Sequence, residues 1–121
     1  MNNKTTIKKE SFYPIDVSIL NEGKFFTFKL LKLTERGFIA DTCGAILKLA
    51  STIPESRFTI PFTDVVISGS LRVMKNYDRS ILNEDKTQGI QRLAEFHFQE
   101  LSSRQRKEIR HFLNQIEQVA T

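Results

Sequence analysis

The chain has a single Cys, two His and only five Gly, and each scarcity closes off a class of function. One thiol, Cys43, can form neither an intrachain disulfide nor a multi-thiolate metal site, a cysteine usage that fits a reducing compartment. Beside Gly44 in an apolar stretch, it reads as a small buried hydrophobe. The scattered Gly make neither a P-loop nor a G-x-G-x-x-G fingerprint. His97 and His111 have no Cys, Asp or Glu at a ligand spacing, so no metal is expected. Glu84 and Asp85 fall in a polar stretch where no rigid element would hold them at catalytic distance. The expectation is a protein that is not an enzyme and has no resident cofactor. No apolar run approaches the ~20 residues needed to cross a bilayer. The first residues, MNNKTTIKKESFYP, are basic but lack the apolar stretch of a signal peptide. No membrane insertion and a cytoplasmic location are therefore expected.

What is present fits one domain. A chain of 121 residues can hide about two-thirds of its unfolded surface and hold its own core. Ten Phe are available to fill it. Eighteen Lys and Arg against fourteen Asp and Glu leave a charge of +4, which favours anionic partners without choosing among them.

The periodicity is mostly that of strands. Ile15, Val17 and Ile19 alternate with Asp16 and Ser18 up to a turn at Asn21-Glu22-Gly23. Lys24 to Leu33, KFFTFKLLKL, is apolar on both faces, which predicts a bulge or burial on two sides. Thr34-Glu35-Arg36-Gly37 is a tight turn into Phe38-Ile39-Ala40-Asp41. Residues 45–53 admit either a short helix or an irregular strand, because Ile46, Leu49, Ala50 and Ile53 keep a helical spacing between Gly44 and Pro54. Phe58, Ile60 and Phe62 alternate with Arg57, Thr59 and Pro61, an edge-type strand since Pro61 cannot donate to a ladder. Val65, Ile67, Leu71 and Val73 continue the pattern. The polar stretch from Asp78 to Gly89 reads as a long loop.

The C-terminal part is the most informative. Ala94, Phe96 and Phe98 share one face of a strand whose other face carries Glu95 and His97. Ser102 and Gln105 then form a capping box, and Ile109, Phe112, Leu113, Ile116 and Ala120 make one apolar stripe on a helix over 102–119. A small six-stranded antiparallel barrel, with this helix packed across one mouth, buries both patterns.

A final strand that ends in Phe and runs straight into a closing helix resembles the end of PilZ domains, small bacterial barrels that usually read cyclic di-GMP. Residues 1–11 are polar and read as a flexible segment; the resemblance runs from Phe12 to the last helix and implies a single PilZ-like domain over 12–121. Such domains carry R-x-x-x-R before the first strand and [D/N]-x-S-x-x-G across the second and third. A cyclic dinucleotide needs that chemistry: bidentate guanidinium forks for phosphates and guanine edges, beside a Gly that lets the ligand reach the backbone. In this chain Glu10 and Pro14, or in the neighbouring register Lys9 and Tyr13, stand where the two Arg belong. Lys8 and Lys9 are left to supply point charges. The second signature reads K-x-T-x-x-G, with Lys32, Thr34 and Gly37 in its key positions and Arg36 beside them. By the resemblance, Lys8, Lys9, Lys32, Thr34, Arg36 and Gly37 are the candidate cyclic di-GMP residues.

The resemblance therefore implies a bacterial signalling module in a cyclic di-GMP pathway, acting as a protein-binding adaptor or regulator with weak or absent binding of the nucleotide. An acidic protein surface is the expected partner, met by the basic cluster Arg104, Arg106, Lys107 and Arg110 near the start of the helix, together with the 78–89 stretch. Two alternatives stand beside it. One is a true cyclic di-GMP receptor with an altered site. The other is a barrel for single-stranded nucleic acid, in which Phe25, Phe26 and Phe28 beside Lys24, Lys29 and Lys32 serve as a stacking platform. Nucleic acid is the less expected partner, because those Phe are needed for the core.

Overall fold

The computed structural model describes residues 15–120, with the backbone alone for 117–120. Six strands follow one another as β1 (Ile15–Asn21), β2 (Lys24–Leu33), β3 (Gly37–Asp41), β4 (Thr52–Thr59), β5 (Val66–Leu82) and β6 (Gln88–Phe98), and a helix, α1 (Ser103–Ala120), ends the chain. They close into an antiparallel barrel in the order β1-β2-β3-β6-β5-β4. Glu22 and Gly23 both take positive φ between Asn21 and Lys24, the two-residue turn that matches the twist of the flanking strands.

Phenylalanine fills the interior. Phe38 lies 5.0 Å from Phe96 and edge-on to Phe58 at 6.0 Å, and Phe96 stacks on Phe28 at 6.3 Å (ring centroids). Ile109 and Phe112 of α1 are buried in the same cluster, and Leu113 and Ile116 pack partly against it. Ala120 falls among the residues whose side chains lie outside the description. Ser102 caps the helix, its Oγ accepting from Gln105 N at 3.2 Å. The return half of the capping box is not made: Gln105 Oε1 is buried without a partner among the described residues.

Bulges set which way the strands face. In β2, Leu30 pairs Ala40 and Lys32 pairs Ile39, so Leu31 is an extra residue. Phe28 and Leu30 point inward before it. The bulge shifts the period by one, so Lys32 faces out and Leu33 faces in. In β4 the shift falls between Ile53 and Ser56, and Pro54 sits there, where no ladder donor is needed. The inward Ser56 hydroxyl donates to Gly69 O at 2.7 Å.

Four expectations need correction. Residues 45–51 are neither helix nor strand but an irregular connection. Left-handed φ at Cys43, Gly44 and Ala50 breaks any repeat, and Leu47 is the residue that goes inside while Ile46 and Leu49 stay exposed. Its backbone is held by Asn76 Nδ2 donating to Leu47 O at 2.6 Å. Pro61 is not in a strand: β4 ends at Thr59, is paired on both sides by β1 and β5, and is no edge. Cys43 is exposed, not buried. Finally, 78–89 is no loop. β5 and β6 stay paired from Leu71↔Phe98 out to Leu82↔Gln88, a two-stranded ribbon that projects beyond the barrel and turns over Asn83–Thr87.

Candidate functional site

The β2–β3 turn builds the first candidate. Thr34 N donates to Gly37 O at 2.8 Å. The Thr34 hydroxyl accepts from Arg36 N and Gly37 N and donates to Gly37 O, each at 3.2 Å. Its hydrogen-bonding capacity is spent inside the turn. Gly37 does not have a positive φ. Its hydrogen faces β6, and a Cβ there would lie 1.8 Å from Phe96 O, so the close approach of β3 to β6 requires glycine.

Around this turn lies an open cavity of about 510 Å³, lined by Lys32, Thr34, Glu35, Arg36 and Gly37 of the turn and by Glu95 and His97 of β6. Four residues named from sequence, Lys32, Thr34, Arg36 and Gly37, thus meet in one concavity. Glu35, Glu95 and His97 were not among them. The out-facing period of Glu95 and His97 was readable, but not that β3 would lay them beside the turn through Gly37↔His97 and Ile39↔Glu95. Lys8 and Lys9 lie outside the described residues.

The charges are mixed. His97 Nε2 lies 3.4 Å from Glu95 Oε2. Glu35 Oε1 accepts from Arg110 Nε at 3.1 Å and lies 3.0 Å from its second terminal nitrogen, which ties α1 to the β2–β3 turn. The side chains of Lys32 and Arg36 have no hydrogen bond or ion pair among the described residues. These two cations are what the cavity offers an anion.

The helical cluster divides. Arg104, Arg106 and Lys107 are exposed and unpaired among the described residues, while Arg110 is held by Glu35. The cluster also does not adjoin residues 78–89. α1 is anchored at the turn beside His97, near the end of β6, whereas the ribbon grows from the start of β6. One partner surface cannot include both without spanning the length of that strand.

The stacking platform imagined on β2 also comes apart. Phe28 is core, Phe26 is on the inward face with it, and Phe25 points outward at 65% exposure. Lys29 Nζ is bound to Asp16 Oδ1 at 2.7 Å, and Lys32 belongs to the cavity.

The architecture has close counterparts. The PilZ domain of YcgR from Escherichia coli, solved with cyclic di-GMP, superposes with a TM-score of 0.78 over 90% of this chain and 86% of that one, at 13% identity. The fold is that of a PilZ domain. MrkH, described as a cyclic di-GMP-dependent transcription regulatory factor, matches at 0.77 and 11% identity over 87% of this chain, and K. pneumonia MrkH in its apo state at 0.74 and 12% over 89%. This PilZ-like chain spans just under half of those two MrkH chains, 46% and 47%. No family model matches the sequence, and no curated protein matches it. Among the described residues of the PilZ-like domain, no helix is long and apolar enough to cross a membrane, and no three His, Cys, Asp or Glu could together hold a metal.

Proposed function

We propose that this PilZ-like domain is a regulatory module of a cyclic di-GMP pathway that acts by binding protein in the cytoplasm, not by catalysis, and that binds the nucleotide weakly or not at all. The observation that carries this reading is the state of the β2–β3–β6 cavity. It occupies the position of the K-x-T-x-x-G signature, yet the Thr34 hydroxyl is committed to its turn and Gly37 is required by Phe96. Two unpaired cations remain, facing Glu35 and Glu95 across the same concavity. The sequence before β1 has no Arg in either register, and two charge-assisted bidentate contacts at ~1.5–3 kcal/mol each are worth several orders of magnitude in affinity. The exposed Arg104, Arg106 and Lys107 supply a surface suited to an acidic protein.

Calorimetric titration with cyclic di-GMP tests this directly. A Kd above ~10 μM, or no heat at all, is expected. A sub-micromolar, stoichiometric complex would overturn the reading in favour of a true receptor, with Lys8, Lys9, Lys32 and Arg36 as the donors to mutate next.

A further inference from the structure

On the wall opposite that cavity, the outer faces of β2, β1, β4 and β5 line up one row of residues by register: Thr27 opposite Ser18, Ser18 opposite Arg57, Arg57 opposite Ser68. The row is three short hydroxyl side chains around a single guanidinium. Short side chains between taller neighbours make a trough. Two open cavities, of about 490 and 500 Å³, run along it and share Ser18 and Arg57. Phe25, 65% exposed, and Val66, 38% exposed, wall the first cavity. Phe62, 91% exposed and held at φ +67°, stands at the far end of the second.

Three physical facts bear on what this trough is for. Apolar surface left exposed, as at Phe25 and Val66, costs free energy in water and marks an interaction site where it is grouped. Arg57 is exposed and has no hydrogen bond or ion pair among the described residues, not even with Glu55 on the same face of β4. An aromatic side chain beside an Arg that can be desolvated together is also the usual make-up of a binding hot spot.

The charges select the occupant. The nearby Lys29 is neutralised by Asp16, and Glu55 lines the same trough, so among the described residues one cation is on offer. A nucleic-acid strand needs several cations along its phosphates and would meet Glu55. One planar fork between apolar walls instead matches one carboxylate flanked by apolar side chains. We infer that the β1–β2–β4–β5 face of the barrel is a second docking surface, for a protein segment that presents a single Asp or Glu between apolar residues, with Arg57 as its charge anchor and Phe25 as its apolar anchor. It goes beyond the function proposed above, because it uses neither the nucleotide cavity nor the helical cluster.

Selection from a displayed library of random linear dodecamer peptides on the purified chain tests it. Recovered peptides should carry one acidic residue next to Phe, Leu, Ile, Val or Met. Arg57→Glu should weaken them about tenfold or more, and exchange of the peptide's acid for Lys should restore binding to that variant. Phe25→Ala should weaken the same peptides, whereas Arg106→Glu with Lys107→Glu should not. Both trough residues are exposed, so circular dichroism and the unfolding midpoint should stay at wild-type values. The inference fails if no such peptides are enriched, or if Arg57→Glu binds them as well as wild type. It fails equally if sedimentation shows a wild-type dimer that Arg57→Glu dissolves, which makes the occupant a second copy, or if an oligonucleotide, not a peptide, is the ligand that Arg57→Glu loses. A negative cyclic di-GMP titration bears on none of these outcomes, so the two proposals stand or fall separately.

Discussion

Gly37 and Thr34 separate what a residue does for the fold from what a signature leads one to expect of it. In the sequence both sit in a ligand-binding pattern. In the structure one is required by a neighbouring strand and the other ties its own turn. Gly37→Ala should therefore lower stability by at least ~2 kcal/mol, because the added methyl meets backbone that cannot swing away. Urea denaturation measures it, and an unchanged midpoint would show that β3 and β6 are not in such close approach. Thr34→Ala should cost about 1 kcal/mol and Thr34→Ser little, since a serine hydroxyl can make the same turn bonds. That the pattern lay at a turn was legible from Thr34-Glu35-Arg36-Gly37. The reason for the glycine was not, because Phe96 O arrives from a strand 59 residues further on, a contact that no local window contains. Arg110 is a parallel case. Its partner Glu35 is 75 residues away, so the sequence could show a basic cluster but not which of its members is already engaged.

Elements were legible where one face is buried and obscure where none is. β1, β2, β6 and α1 follow their periods of 2 and 3.6 because half of each meets the core. The outer part of the β5–β6 ribbon has no core to face. Its polar residues gave the pattern of a loop, while its pairing is sustained by cross-strand groups such as Arg92 with Asp78 and Arg79 with Gln91. The Arg92 hydrogen bond holds the Asp78 carboxyl below the usual carboxylate range, and the Thr87 hydroxyl and N–H do the same for Asp85 in the turn. A carboxyl whose pKa is lower in the folded state stabilises it above the unfolded value, about pH 4, and that stabilisation is lost as the pH falls through the lower folded value. Acidification below about pH 4 should thus loosen the ribbon, seen by NMR as loss of the Ser80–Ile90 cross-strand contact while Phe96 stays native. Asp78→Asn should reduce this pH dependence, leaving the part that Asp85 contributes; if it titrates as wild type does, the Arg92 pair is not what holds the ribbon. In α1, Phe112→Ala should cost ~3–5 kcal/mol by emptying an aromatic core site. The first turn of α1 has no acidic residue, and Arg104 there opposes the helix dipole. Arg104→Glu should raise the unfolding midpoint slightly, an effect calorimetry can resolve and which would have the opposite sign if Arg104 had a fold-supporting partner.

At the scale of the whole molecule, the question is how a closed sheet opens. Closure removes every strand edge within the barrel, but the strands that close it are not equally joined. β6 pairs with β5 along its whole length, from Leu71↔Phe98 to Leu82↔Gln88, whereas the β1–β4 seam is registered only at Ser18↔Arg57, Ile19↔Ser56 and Leu20↔Glu55. The seam is short because β4 shifts register at Pro54, just beyond the last of these pairs, and Pro54 has no N–H to extend the ladder. Ile19 and Phe58 nevertheless keep it closed from within, since both are core. A sheet under thermal fluctuation separates first where the fewest bonds hold it. Native-state hydrogen exchange should therefore find the β1 and β4 amides that bond across this seam less protected than the β5 and β6 amides that bond across theirs between Leu71↔Phe98 and Asn76↔Ala94. Equal protection on both sides would mean that the barrel opens only by global unfolding. The position of the seam also bears on the second docking surface, because Arg57 sits on it. A partner that spans β1 and β4 would clamp the barrel at its weakest join, and its binding should raise protection there first.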